Sequence, residues 1–196
     1  MTRTKSILLA SCIAIALPWQ SLPLNAATIT TGKQPNGTPT IYVSGDIDKE
    51  SVRKFIETVL QINKRKIFVY LESSGGETEA GLVMAEAISK MELFETVVVK
   101  HCASMCAVVW LAGPTRWVAS GAHIGFHAVY FTDKQGRNLG VSPGGNAIIG
   151  AFLARLGYND QTIRRLTETD PDSMYWLTRE TAKELGIEAK IIESKK

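Results

Sequence analysis

The chain has 196 residues, with 22 Lys and Arg against 19 Asp and Glu, a formal charge of +3 at pH 7. That length suits one domain, and 45% hydrophobic with 21% charged residues is the balance of a globular protein with a real core. The sequence shows no basic patch that would call for nucleic acid.

The first 26 residues stand apart from the rest. Arg3 and Lys5 make a short basic start, SILLASCIAIALPW is an apolar stretch, and Asn25-Ala26-Ala27 ends it with small residues. This is the pattern of a secretory signal peptide over 1–26, cleaved near Ala26 or Ala27, and it implies a periplasmic or secreted protein. Pro18, Pro23 and the brevity of the run argue against a membrane anchor. A lipoprotein reading through Leu9-Ala10-Ser11-Cys12 leaves too little apolar sequence before the cysteine. Cleavage removes two basic and no acidic residues, leaving 20 against 19, so part of the basic character belongs to the leader. Of the three cysteines only Cys102 and Cys106 then remain, in a compartment where disulfides persist.

Residues 27–40 read as a polar, Pro- and Gly-containing lead-in, and 41–190 as a single domain. A β-type run, Thr40 to Ile47, is followed by Asp48 to Asn63. There Val52, Phe55, Ile56, Val59 and Leu60 form the stripe of an amphipathic helix. KIFVYLES (Lys66–Ser73) is a near-continuous apolar strand, expected to be covered on both faces. Helical spacing resumes from Thr78 to Met91 through Ala80, Val83, Met84, Ala87 and Ile88. The cycle repeats: ETVVVK is strand-like, CASMCAVVWLAG opens a helix, and TRWVASGAHIGFH carries two further β-runs. Strands alternating with helices predict βαβ crossovers, a mainly parallel sheet and outer helices, an α/β fold. Phe131 to Asn146 is turn-rich and aperiodic. Ala147–Leu156 and Asp160–Leu166 read as helices, and LTRETAKELGI as a last one with an incomplete capping box (Thr178, then Thr181) ending at Gly186.

Three stretches carry chemistry. In LESSGGETEAG a glycine pair follows a strand and precedes a helix, where backbone N–H groups can face a cleft and hold developing negative charge; it can equally be a simple turn. Ser104 also stands at a strand-to-helix junction, where an ordinary helix-capping serine is the competing reading. Consecutive β–α junctions of a parallel sheet lie side by side at its carboxyl edge. His127 closes a β-run in AHIGFHA; alternation puts it on the face opposite Ile124 and Phe126, which His123 shares, and His101 and His123 compete with it as candidates.

Taken together, LESSGGETEAGLVMAEAI, CASMCAVVWLAGPTRWVASGAHIGFH and TIRRLTETD…LTRETAKELGI, in that order, resemble the Clp protease proteolytic subunit and its relatives in the ClpP/crotonase superfamily. The Cys-x-Ser-x-Cys arrangement with a downstream Gly-Phe-His is similar to exported ClpP-like bacterial proteins. The resemblance covers Ile41 to Ile187. It implies a spiral of ββα units, Ser104 as nucleophile, His127 as general base, and Gly76 and Met105 as backbone donors of an oxyanion hole. It also implies a peptide or protein substrate, no cofactor, no metal, an inserted helix over Ala147–Leu156 used in assembly, and a homo-oligomer.

The sequence departs from the family pattern in three places. Ser74 replaces the proline usual before the glycine pair. The third triad position is ambiguous: reading forward from Gly157 gives Asp170, reading back from the last helix gives Met174, and Asp172 is a further candidate. Thirdly, Cys102 and Cys106 flank Ser104. Two cysteines four apart at a helix start have Cα atoms about 6 Å apart, within disulfide range, and a bridge there would stiffen the backbone around the serine. The expected activity is that of an exported serine hydrolase, most simply a peptidase. It would work without an ATPase partner, since no P-loop is present and an exported protein lacks the cytosolic unfoldase. The alternative is a ClpP-like binding or scaffold module without a working triad. A crotonase-type acyl-thioester enzyme ranks behind both, as does a serine–lysine pair through Lys134.

Overall fold

In the computed structural model, residues 26–62 and 66–193 are described. The expected signal peptide, apart from Ala26, lies outside them.

The polar lead-in is a strand. β1 (Thr28–Lys33) pairs antiparallel with β2 (Pro39–Ser44), Thr31 opposite Ile41. Its β-branched residues suit an edge strand, where one side of the ladder faces solvent and threonine costs nothing; lacking a clear apolar alternation, it reads from sequence as a loop. From β2 the sheet continues in parallel through β3 (Ile67–Ser73), β4 (Phe94–Ala103), β5 (Thr115–Ala119) and β10 (Lys190–Ile192). The crossovers are α1 (Lys49–Gln61), α2 (Thr78–Ser89) and α3 (Met105–Leu111). The fold is therefore the expected α/β architecture with a mostly parallel sheet and helices against it.

Local chemistry sets the element ends. Asp48 caps α1: its Oδ1 accepts the Ser51 N–H at 2.8 Å while Ser51 Oγ accepts the Asp48 N–H at 2.9 Å, a reciprocal cap of about 1 kcal/mol. α1 then buries Val52, Phe55 and Val59. β3 is not covered on both faces as its composition suggests. Ile67, Val69, Leu71 and Ser73 point into the core; Phe68 and Tyr70 are half-buried on the other face, where Tyr70 stacks on Tyr42 at 4.9 Å. Aromatic rings keep the apolar run continuous in sequence while standing on the more exposed side.

β4 is ten residues long and serves two neighbours in succession. Glu95–Val98 pairs with β5, and His101–Ala103 pairs with β6 (His123–Phe126). This branching directs the end of β4 toward β6 and places the following junction between them. After β6 the segment expected to be turns holds a hairpin, β7 (Tyr130–Thr132) and β8 (Asn138–Val141). α4 begins at Pro143 rather than Ala147 and ends at Arg155. Ser142 caps it by accepting the Gly145 N–H, and proline at the first helical position loses no bond; Gly144 and Gly145 hide this turn from any apolar periodicity. Gly145 is required by packing, since a Cβ there would lie 2.9 Å from Val129 Cβ. α5 (Asp160–Thr167), the short β9 (Tyr175–Trp176) pairing with β6, and α6 (Arg179–Glu184) complete the domain. The α6 capping box is whole after all: Thr181 Oγ1 accepts the Thr178 N–H at 2.9 Å, the task usually given to Glu or Gln.

Candidate active site

The carboxyl ends of β3 and β4 lie side by side, with Ser73 opposite Cys102. Their junctions open into one cleft of about 870 Å³ whose wall includes Gly75, Gly76, Ser104, Met105 and His127. Phe126, Ile149, Leu153 and Leu166 give it an apolar floor; Asp46, Asp48, Glu77, Glu79, Asp133, Lys49 and Lys134 are also among its lining residues. Within the β7–β8 turn, the Arg137 backbone N–H and then its guanidinium hold the Asp133 carboxyl below the ordinary range, so this residue stays anionic.

Ser104 has φ 54° and ψ −128°, and is the one non-glycine residue of positive φ among the described residues. It occupies the capping position of α3, yet its hydroxyl makes no capping hydrogen bond. An ordinary capping serine takes an extended backbone and accepts an N–H from the first turn; Ser104 does neither. Its own N–H donates to Gly125 O of β6 at 2.9 Å, which anchors the elbow. A side chain held in this region costs about 1–3 kcal/mol, and the rest of the fold must over-determine it.

Three features fix the elbow. Cys102 and Cys106 form a disulfide with Cα atoms 5.2 Å apart, closing a ring around Ser104. α3 is buried along its whole length, from Met105 to Leu111. Gly75 presses against it from β3: at φ 114° a Cβ there would lie 2.7 Å from Ser104 Cβ and 3.1 Å from Met105 N.

The glycine pair divides its work. The Ile47 N–H donates to Gly75 O at 2.7 Å and the Glu77 N–H to Ile47 O at 2.8 Å. Peptide bonds here are trans, with N–H opposite to C=O. Because Gly75 O is turned toward Ile47, the Gly76 N–H is turned away from β2, on the cleft side. A Cβ on Gly76 would collide with the Ile47 backbone, at φ 144°. Met105 opens α3, so its N–H has no partner within the helix. Among the described residues the Gly76 and Met105 N–H groups have no backbone partner, and both residues line the cleft with Ser104. The sequence points to Gly76; that Gly75 is the residue in contact with the serine has no sequence signature.

His127 lies just beyond β6, half-buried on the wall of the same cleft, and its ring packs 5.4 Å from that of Tyr130. Its Nδ1 is 2.7 Å from Ala128 O. A carbonyl only accepts, so this contact requires the proton on Nδ1 and leaves Nε2 with a lone pair in the neutral ring. The segment is held by Ala128 N–H to Thr169 O at 2.7 Å and by Val129 N–H to Asn146 Oδ1 at 2.7 Å. Ser104 and His127 share the cleft, but no hydrogen bond joins them among the described residues. Such bonds are often long without substrate.

Neither candidate aspartate hydrogen-bonds to His127 among the described residues. Asp170 Oδ1 accepts the Asp172 N–H at 2.9 Å within its own turn, and Asp172 Oδ1 accepts from Asn138 Nδ2 at 2.9 Å. Met174 packs under β6, where a Cβ on Gly125 would lie 2.7 Å from its Cγ. The nitrogen that an aspartate would hold is taken by a backbone carbonyl, an arrangement invisible in any residue pattern. His101 and His123 flank the Trp176 ring at 5.7 and 5.9 Å, and neither lines the cleft, though His101 Nε2 lies 3.5 Å from Oγ of the cleft residue Ser74.

The sequence profile of the Clp protease family matches residues 30–129, the stretch from β1 to His127 and its neighbours. The chain belongs to the Clp protease family. Its likeness to the ATP-dependent Clp protease proteolytic subunit 2 of Borreliella burgdorferi is 28% identity over 170 residues, covering 79% of this chain and 83% of that protein. Among solved structures, the ClpP protease catalytic domain from Plasmodium falciparum superimposes with a TM-score of 0.60 at 22% identity, over 79% of this chain and 84% of that one. A ClpP1 point mutant from Listeria monocytogenes gives 0.62 at 21% identity, over 79% and 91%. Membership of this family makes the protein a peptidase in kind, and the Clp protease fold accounts for the placement of both junctions at one sheet edge.

Proposed function

We propose that this Clp protease family member is an exported serine peptidase working without an ATPase partner, on peptide or unfolded protein substrates, as a homo-oligomer. One observation carries the reading: Ser104 is held at a costly backbone conformation with its hydroxyl making no capping bond, in the same cleft as Gly76 and Met105, whose N–H groups have no backbone partner among the described residues. In this reading the Ser104 hydroxyl attacks the substrate carbonyl while His127 Nε2 takes its proton. The N–H groups of Gly76 and Met105 hold the oxyanion, each worth about 10²–10³ in rate. His127 returns the proton to the leaving amine, and water then releases the acyl group by the reverse proton path. Ala128 O does the orienting work of the missing carboxylate. A carbonyl fixes the tautomer but carries no full charge for the imidazolium, so turnover is slower than with a complete triad.

Export is supported by the basic start and apolar run before Asn25, and by a cysteine pair oxidised around the serine. It removes the chain from cytosolic unfoldases. Incubation of the full chain and Ser104→Ala with a peptide mixture, read by mass spectrometry, tests the proposal. New termini produced by the wild type and absent with the variant support it; unchanged peptides overturn it.

A second reading is a peptide-binding module without turnover. It is favoured because, among the described residues, His127 hydrogen-bonds to neither a carboxylate nor Ser104. Peptide retention that survives Ser104→Ala, with no product from either protein, selects it.

A further inference from the structure

We infer that the Cys102–Cys106 disulfide is a redox gate on Ser104: the site is competent with the bridge closed and relaxes when it is opened. The inference rests on the serine-peptidase reading and adds its regulation.

The bridge spans the elbow and nothing else. Cys102 is the penultimate residue of β4, paired with Ile124 of β6 and facing Ser73 of β3. Cys106 is the second residue of α3. The strand half of the elbow is therefore fixed by two neighbouring strands whatever the sulfurs do. The helical half has no such ladder: Met105 and Cys106 are held by burial and by the Ala107 N–H donating to Ser104 O, and the bridge is their one covalent tie to β4. Two residues of this closed ring matter to chemistry, Ser104 with φ 54° and Met105 with the free N–H. A ring closed over four residues gives little entropic stabilisation of the whole fold. Its effect is confined to the conformations open to Ser104 and Met105, which is what a gate requires. Opened, the first turn of α3 can let Ser104 fall to an ordinary φ, moving the hydroxyl and the Met105 N–H together.

The chemistry balances with a dithiol as reductant. One dithiol thiolate attacks a bridge sulfur to give a mixed disulfide, and the second dithiol sulfur displaces it. The dithiol is oxidised to its disulfide, and two electrons and two protons leave Cys102 and Cys106 as thiols. Both cysteines are fully buried, so exchange requires a local opening and proceeds slowly. A chain made in a reducing compartment would stay silent there and become competent on reaching an oxidising one. The gate needs no separate pro-segment.

The test uses the full chain and a fluorophosphonate probe, with dithiothreitol added until alkylatable thiols rise by two. Labelling of Ser104 is followed beside near-ultraviolet dichroism, which reports whether the core stays folded. The expected result is a folded reduced protein labelled roughly ten- to a hundredfold more slowly, recovering on reoxidation, as loss of a held backbone outlier implies. A Cys102→Ala/Cys106→Ala variant, if folded, should show the slow rate under oxidising conditions and ignore the reductant. Equal labelling of oxidised and reduced protein overturns the gate and leaves the peptidase reading standing. No labelling in either state removes both. Should reduction unfold the chain, the bridge is a structural staple and the gate is likewise refuted.

Discussion

Replacing Ser104 by glycine and by alanine separates backbone strain from hydroxyl chemistry. Both variants remove the hydroxyl, which has no hydrogen-bond partner in the described residues, so its loss costs little stability. Only glycine accepts φ 54° with ψ −128° freely. A Cβ there costs about 1–3 kcal/mol. Glycine loses about 0.5–1 kcal/mol of this through extra freedom in the unfolded chain, and less if the Cys102–Cys106 ring persists on unfolding. Ser104→Gly should thus exceed Ser104→Ala in stability by about 1 kcal/mol at mid-range and by at most about 2.5 kcal/mol. For a chain of this size that is a melting-temperature difference of about 2–4 °C at mid-range and at most about 10 °C. Thermal and urea unfolding of both variants, under oxidising conditions, measure it. If alanine is as stable as glycine, Ser104 is not strained, and the argument that the fold holds it there for chemistry collapses.

Other substitutions probe the supporting atoms. Gly75→Ala puts a methyl group on Ser104 Cβ at positive φ; it should cut peptide turnover by at least about a hundredfold, since the elbow or a hole donor must move. Retained turnover would mean the glycine turn is irrelevant to the site. Asp170→Asn and Asp172→Asn should each change kcat/KM by less than about threefold, because each carboxylate is engaged by another donor and neither hydrogen-bonds to His127 among the described residues; a hundredfold loss from either would restore a Ser-His-Asp triad. Asn146→Ala frees the Val129 N–H and loosens the His127 segment. It should lower kcat more than it raises KM; a pure KM effect would show that Asn146 serves substrate binding alone.

The αβ alternation was readable because each apolar run matched one period. The site residues at junctions were readable because a serine or glycine pair at a strand end is a local signal. What escaped is of another kind. β1 is Thr-Ile-Thr-Thr-Gly-Lys on an edge, half of it threonine, which pattern reasoning cannot tell from a loop. The first turn of α4 is Pro-Gly-Gly, helical only because Ser142 caps it and Val129 packs on Gly145. The ambiguity between Asp170 and Met174 dissolves because the partner of His127 is a carbonyl, and every residue carries one. The division of labour between Gly75 and Gly76 depends on which peptide faces Ile47, a tertiary fact. The bridge across Ser104 was foreseeable as a hypothesis from the four-residue spacing taken with the expected export, and the structure closes it.

The most direct test is covalent labelling of the oxidised full chain with a fluorophosphonate, followed by peptide mapping of the adduct. One adduct per chain on Ser104, lost in Ser104→Ala and strongly slowed in His127→Ala, is the predicted result. A folded protein that never reacts, or that reacts equally fast without His127, contradicts a serine nucleophile activated by that imidazole.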